Sequence, residues 1–159
     1  MKKIISVFVF VLTFISSYAQ SFNTDKTSLA SFVKRMYTAT PFEGVKVVDD
    51  YDHQYFISVL SLEKAKYTSE STMNRVAQVK AQSQANTFFN GSTVTSDLII
   101  KTTEKTDKEG SGSMTETIET IKENASGFTQ GLELLINFDN SDGKRMVFIF
   151  YRGLTTNSR

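Results

Sequence analysis

The stretch 69–91 constrains the fold most, because its apolar residues recur every four positions among polar ones. The recurring residues are Met73, Ala77, Ala81, Ala85 and Phe89. Positions four apart lie on one face of an α-helix, so the pattern predicts a helix whose apolar stripe is small in the middle. Ser69 is typical of a helix start and Asn90-Gly91 of a helix end. Alanines let a helix lie close to another surface, and we expect that surface to be a sheet, since nearly every other regular segment is strand-like.

The first 19 residues have the pattern of a secretory signal peptide. Lys2 and Lys3 form a basic start, the apolar run 4–15 follows, and Ser17-Tyr18-Ala19 places small residues before a cleavage site. The apolar run is too short to cross a membrane. We therefore expect export to the periplasm or beyond, with cleavage after Ala19 and a mature chain of 140 residues.

Composition argues against several classes of function. The chain has no cysteine, so we expect no disulfide, no cysteine nucleophile and no covalent lipid anchor on the membrane. Loss of Lys2 and Lys3 with the signal peptide leaves 16 basic residues against 17 acidic ones. A near-neutral domain without a basic run is a poor binder of nucleic acid, and we expect no nucleic-acid partner.

The segment 20–43 is predicted to contain an amphipathic helix and a link. Its apolar residues, at spacings of three and four, are Leu29, Phe32, Val33, Met36 and Tyr37. Thr40-Pro41 should end the helix, because a residue before proline avoids helical backbone angles. Only Lys26, Lys34 and Arg35 supply basic charge, which is little for a lipid surface. We expect this helix to pack on a core.

The segment 44–153 is predicted to form an α+β domain, with 154–159 as a polar tail. Predicted strands are 44–49, 54–62, 92–103, 132–138 and 145–152, from β-branched and aromatic runs bounded by turn residues. Leu132, Leu134, Ile136 and Phe138 alternate with Glu133, Leu135 and Asn137 in the fourth of these. A short helix at 115–126 follows from the spacing of Ile118, Ile121 and Ala125, although β-branched residues there would also suit a strand.

Two strands are apolar on both faces, and one helix can cover only one face. The opposed sets are Phe56, Leu60, Leu62 against Tyr55, Ile57, Val59, and Met146, Phe148, Phe150 against Val147, Ile149, Tyr151. Monomers seldom expose more than a few hundred Å² of contiguous apolar surface. Either the N-terminal helix covers the second face, which its own apolar stripe favours, or that face binds a partner. The candidate partner-surface residues are Phe56, Leu60, Leu62, Val147, Ile149 and Tyr151.

We find no motif that predicts catalysis, and we expect no enzyme, no cofactor and no metal. His53 is the only histidine, and it follows the acidic run 49–52 in a predicted turn, where aspartates usually serve local hydrogen bonds. The loop 139–143 departs from the calcium-binding pattern, because Phe138 stands where the first aspartate belongs.

The order of strand, alanine-striped helix, strand, short helix and hairpin is the basis of a family resemblance over roughly 44–153. The matching residues are Arg75, Ala77, Ala81, Ala85, Phe89, Gly91, Val94, Ser96, Gly127, Phe128, Asp142 and Gly143. In these features the chain resembles the LPP-type bacterial envelope lipoproteins and the N-terminal domain of the flagellar assembly protein T. The resemblance implies an α+β domain with a structural or assembly role in the envelope, although lipoprotein members carry an acceptor cysteine that this chain lacks.

These patterns predict a two-layer α+β fold, with an antiparallel or mixed sheet of about five strands and the helix 69–90 on one face. A cystatin-like or NTF2-like curved sheet around a helix is the alternative. The predicted function is that of an exported, non-enzymatic cell-envelope module that binds a protein or envelope component. The alternative is a binder of a small apolar ligand between sheet and helix. A closed core would favour the first, and an apolar pocket of several hundred Å³ the second.

Overall fold

The computed structural model describes residues 24–50, 53–91, 99–101 and 125–154. The helices in these ranges are α1 (Thr24–Ala39), α2 (Glu70–Gly91) and α3 (Ala125–Gln130), with a 3₁₀ turn at Lys64–Lys66. The strands are β1 (Gly44–Asp50), β2 (His53–Glu63), β3 (Ile99–Lys101), β4 (Glu133–Asp139) and β5 (Arg145–Leu154). The fold is α+β, as the sequence predicted.

The strands form one mixed sheet in the order β3-β1-β2-β5-β4. β1, β2, β5 and β4 are antiparallel to their neighbours, and the three-residue β3 joins β1 in parallel. β2 and β5, the longest of the described strands at 11 and 10 residues, lie side by side in the middle of the sheet. A central strand has both faces covered, and this explains why both strands are apolar on both sides.

α2 lies on one face of the sheet with its alanine stripe inward. Ala77, Ala81 and Ala85 are fully buried in a cluster that contains the inward side chains of β2 and β5. Ser69 begins the helix, since its Oγ accepts a hydrogen bond from the backbone N–H of Thr72 at 3.2 Å. The predicted helix and its buried face are confirmed.

α1 lies on the opposite face of the sheet. Leu29, Val33 and Tyr37 are buried in a second cluster with the other side chains of β2 and β5, such as Ile57 and Ile149. The fold therefore has three layers, and the prediction of two was wrong. The arrangement is the one that the apolar stripe of the N-terminal helix favoured, and it differs from a curved sheet around a single helix.

β4 departs from the predicted alternation. A register shift between Leu134 and Ile136 shows a β-bulge, which places two residues opposite one. As a result Leu132 packs on the α2 side, whereas Leu135, Ile136 and Phe138 pack on the α1 side. Leu134, which the pattern grouped with Leu132 and Ile136, is 38% exposed.

Several predicted elements lie partly outside the described residues. The strand predicted at 92–103 is described only as Ile99–Lys101. The helix predicted at 115–126 overlaps the described residues only at 125–126, where α3 begins. β5 continues to Leu154, past the predicted end at 152.

Candidate functional site

The predicted partner-surface residues come from both faces of the sheet. They are Phe56, Leu60, Leu62, Val147, Ile149 and Tyr151. The first three lie in the cluster beneath α2 and the last three in the cluster beneath α1. The first five are buried and Tyr151 is half-buried. The structure therefore does not bring the six together on one open surface.

The interface between α2 and the sheet is filled by aromatic rings at one end. The Phe56 ring contacts those of Phe88, Phe89 and Phe128, with centroid distances of 5.7, 5.1 and 5.6 Å. Aromatic pairs at such distances add to the stabilisation from burial. These rings fill that end of the interface between α2 and the sheet.

A buried serine lies farther along the same interface. Ser58 is fully buried, and its Oγ donates a hydrogen bond to Gln84 Oε1 at 2.6 Å. It also lies 3.5 Å from the carbonyl oxygen of Ala81. The bond to α2 satisfies a hydroxyl that would otherwise be buried without a partner, so Ser58 joins the helix to β2.

A polar cluster of Glu43, Ser61 and Arg145, named the Arg145 cluster below, joins the beginnings of β1 and β5 to β2. Arg145 Nε donates to Ser61 Oγ at 2.8 Å, and Arg145 Nη2 donates to the Ser61 carbonyl oxygen at 2.9 Å. Ser61 Oγ donates to Glu43 Oε1, which lies 3.4 Å from Arg145 Nη2. Sequence analysis missed this cluster. The sequence feature that could have indicated it is Ser61, a serine inside an apolar strand, because a buried hydroxyl needs a hydrogen-bond partner.

Of the contacts in the described residues, the Arg145 cluster comes nearest to a catalytic arrangement, because it places a serine beside a carboxylate. A serine becomes a nucleophile when a general base, most often histidine, removes its proton. Here the carboxylate oxygen of Glu43 is shared between the Ser61 hydroxyl and the Arg145 guanidinium. Hydrogen bonds of this kind hold three segments in register, and the geometry fits a structural clamp.

The charges of the Arg145 cluster affect the pKa of Tyr37. Burial raises the pKa of Tyr37 above its ordinary value of 10.0, the Glu43 carboxylate raises it further, and the Arg145 guanidinium partly opposes them. The Tyr37 ring also contacts the ring of Phe138 edge-on, with centroids 5.6 Å apart. Tyr37 is therefore a protonated packing residue at neutral pH.

We expect the raised pKa of Tyr37 to make part of the stability depend on pH above about 10. A pKa that is higher in the folded state favours folding fully below the unfolded pKa, and this contribution disappears as pH rises through the folded pKa. Tyr37→Phe should lose less stability than the wild type between neutral and strongly alkaline pH. Urea unfolding across that range measures the difference, and parallel curves would contradict it. Tyr67→Phe is the control for the loss of a tyrosine hydroxyl, since Tyr67 packs against the α2-side cluster.

His53 lies at the start of β2 and is exposed. Its ring stacks on Tyr55 with centroids 6.2 Å apart and an interplanar angle of 22°, and the Tyr55 ring lies 6.3 Å from that of Tyr151. In the part of the chain that the structure describes, no three His, Asp or Glu side chains are grouped as metal ligands would be.

His53→Ala is expected to leave the fold intact and to change the free energy of unfolding by no more than about 0.5 kcal/mol, because the side chain is exposed. Any cellular phenotype of a deletion strain should be complemented by this variant as well as by the wild type. Loss of complementation by a stable, folded His53→Ala protein would show that the imidazole has a functional role.

The loop between β4 and β5 is a hairpin turn, as predicted. Asn140 Oδ1 accepts from the backbone N–H of Arg145 at 3.1 Å, and Asp142 Oδ1 accepts from that of Lys144 at 2.8 Å. Gly143 has a φ of 68°, in the left-handed region that favours glycine. These side-chain oxygens serve the backbone of the turn.

A groove of about 940 Å³ runs along α1, lined among others by Ser28, Phe32, Arg35 and Asp50. Most of the α1 residues that line the groove are exposed. The groove therefore lies on the outer side of α1. The small-ligand alternative requires a site between the sheet and the main helix, and this groove lies elsewhere.

Among the described helices, none combines the length and the apolarity needed to cross a bilayer. No protein-family model matches the chain, and comparisons with curated proteins and with solved structures likewise gave no match.

Proposed function

We propose that the chain is an exported, non-enzymatic module of the cell envelope that acts by binding another protein. The observation that carries this proposal is the closure of both faces of the sheet. The buried residues of α2 fill one face and those of α1 the other. A domain packed in this way offers its outer surface for recognition, as protein-binding modules do.

Export and an envelope role are supported by the sequence. Residues 1–19 have the three-part pattern of a signal peptide. The resemblance to LPP-type envelope lipoproteins and to the flagellar assembly protein T supports a structural or assembly role. The chain has no cysteine for a lipid anchor, so we propose that the mature protein is held in the envelope through its partners.

The non-enzymatic part of the proposal is supported by the hydrogen bonds of two polar groups of residues, the Arg145 cluster and the β4–β5 turn. The Arg145 cluster ties strands together, and the Asp139–Gly143 turn uses its side-chain oxygens on backbone N–H groups. These groups are engaged in the fold, which argues against their use as acid, base or metal ligand.

Export is tested by expressing the full chain in a bacterium and fractionating the cells. We expect a periplasmic or secreted protein whose mass corresponds to a chain beginning at Gln20. Phe10→Asp should block export, because a charge in the apolar run of a signal peptide opposes its recognition. Thr13→Val, which keeps the run apolar, is the matched control. An unprocessed protein in the cytoplasm would contradict the proposed location.

The mode of binding is tested separately with apolar probes. We expect that a long-chain fatty acid neither raises the melting temperature nor displaces an environment-sensitive dye, because the interfaces are filled. Saturable binding of one fatty acid per chain, with a rise in melting temperature, would favour the small-ligand function instead.

A further inference from the structure

The proposed cleavage site leaves a glutamine as the first residue of the mature chain. Ser17-Tyr18-Ala19 places small residues before the cut, and Gln20 follows it. After cleavage, Gln20 carries a free α-amino group and a side-chain amide on the same residue. The other glutamines of the chain have their backbone nitrogen in a peptide bond, so this pair of groups is particular to Gln20.

The two groups of Gln20 are placed for a reaction with each other. The α-amino nitrogen and the amide carbon Cδ are joined through Cα, Cβ and Cγ, so a bond between them closes an unstrained five-membered ring. Reactants held within one residue react as a single molecule, which removes much of the entropic barrier. α-Amino groups titrate near neutral pH, so part of the population is neutral and nucleophilic. Gln20 thus holds both partners of an intramolecular acyl transfer.

We infer that Gln20 of the exported chain is converted into pyroglutamate, which blocks the N-terminus of the mature protein. The α-amino nitrogen forms a bond to Cδ, and the bond between Cδ and Nε2 breaks. The proton released by the amine passes to Nε2, which leaves as ammonia. No electrons are transferred and no co-reactant is consumed, and the positive charge of the N-terminus is lost. The inference rests on the proposed export, with cleavage after Ala19.

The position of α1 gives this modification a structural consequence. α1 covers one face of the sheet and begins at Thr24, so only residues 20–23 separate it from the new end of the chain. Its first turns are attached by Lys26, whose Nζ lies 3.4 Å from Glu133 Oε2 and 5.0 Å from the ring centre of Tyr151. Chain ends are where proteolysis concentrates, and aminopeptidases require a free α-amino group. A pyroglutamate end therefore protects the contacts that hold the start of α1.

The modification is tested by intact-mass measurement. The full chain is expressed in a bacterium, recovered from the periplasm or the medium, and stored with and without a purified glutaminyl cyclase. We expect the mass of a chain that begins at Gln20 and lacks one ammonia, reached rapidly with the cyclase and slowly without it. Gln20→Asn is the matched control, because its shorter side chain would have to close a strained four-membered ring. Loss of ammonia at any other residue occurs in both proteins, so the difference between them reports position 20.

The measured mass separates failure of this inference from failure of the proposed export. A processed chain that keeps its ammonia with the cyclase present, or loses it no faster than Gln20→Asn does, would overturn the inference and leave export intact. A chain that retains residues 1–19 would contradict export and overturn the inference with it.

The protective effect is measured with a purified aminopeptidase. We expect the cyclised wild type to keep its full mass and the Gln20→Asn protein to lose residues from its N-terminus. Equal shortening of the two proteins would show that the end of the wild-type chain is not blocked and would overturn the inference.

Discussion

Phe56→Ala is expected to lower the free energy of unfolding by about 3–5 kcal/mol. Phe56 is fully buried on the central strand β2, and its ring contacts Phe88 and Phe89 of α2 and Phe128 of α3. Removal of the ring forfeits the burial of the side chain and leaves a cavity that three elements line. Denaturant unfolding followed by circular dichroism measures the loss.

Val79→Ala provides the control for Phe56→Ala. Val79 lies on α2 but is 64% exposed, so its truncation should change stability by no more than about 0.5 kcal/mol. A loss of less than about 1 kcal/mol for Phe56→Ala would contradict the assignment of this ring to the centre of the core.

Ala81→Leu is expected to destabilise the fold by about 1–3 kcal/mol through overpacking. Ala81 is fully buried, and its carbonyl oxygen lies only 3.5 Å from Ser58 Oγ on β2. A leucine there must push α2 away from the sheet, which would also strain the Ser58–Gln84 hydrogen bond. Thermal and denaturant unfolding both report the change.

Ser83→Leu adds a leucine to the exposed side of the same helix and is the matched control for Ala81→Leu. Leucine has at least as high a helix propensity as serine, so this variant should match the wild type within about 0.5 kcal/mol. Equal melting temperatures for the two leucine variants would show that the alanine stripe does not face the sheet.

Much of the local structure could be predicted because the signal is short-range. The spacing of Ala77, Ala81 and Ala85 predicts a buried helix face. Ser69 indicates the helix start, because its hydroxyl caps the backbone. The turn after β4 was predictable for the same reason. Asn140 accepts from a backbone N–H group five residues away, and Asp142 from one two residues away.

The bulge in β4 and the Arg145 cluster could not be predicted, because both depend on distant residues. The register of β4 with β5 decides whether Leu134 or Leu135 faces inward. The apolar sequence of β4 is compatible with both registers. Arg145 and Ser61 are 84 positions apart, and Glu43 is contributed from before β1. A serine within an apolar strand signals that some partner exists, and only the packed sheet supplies it.

The sequence by itself determined the α+β class, the helical stripes of α1 and α2, and the apolar character of both faces of β2 and β5. Local periodicity and capping encode these features within a few residues. The third layer was favoured by the stripe of Leu29, Val33 and Tyr37 but left open by it, and only the tertiary structure places α1 on the face opposite α2. The same long-range packing placed Phe56 and Ile149, both predicted at a partner surface, in separate cores on opposite faces. Side chains along a strand point alternately to its two sides, so the division into cores follows once the sheet has formed between two helices.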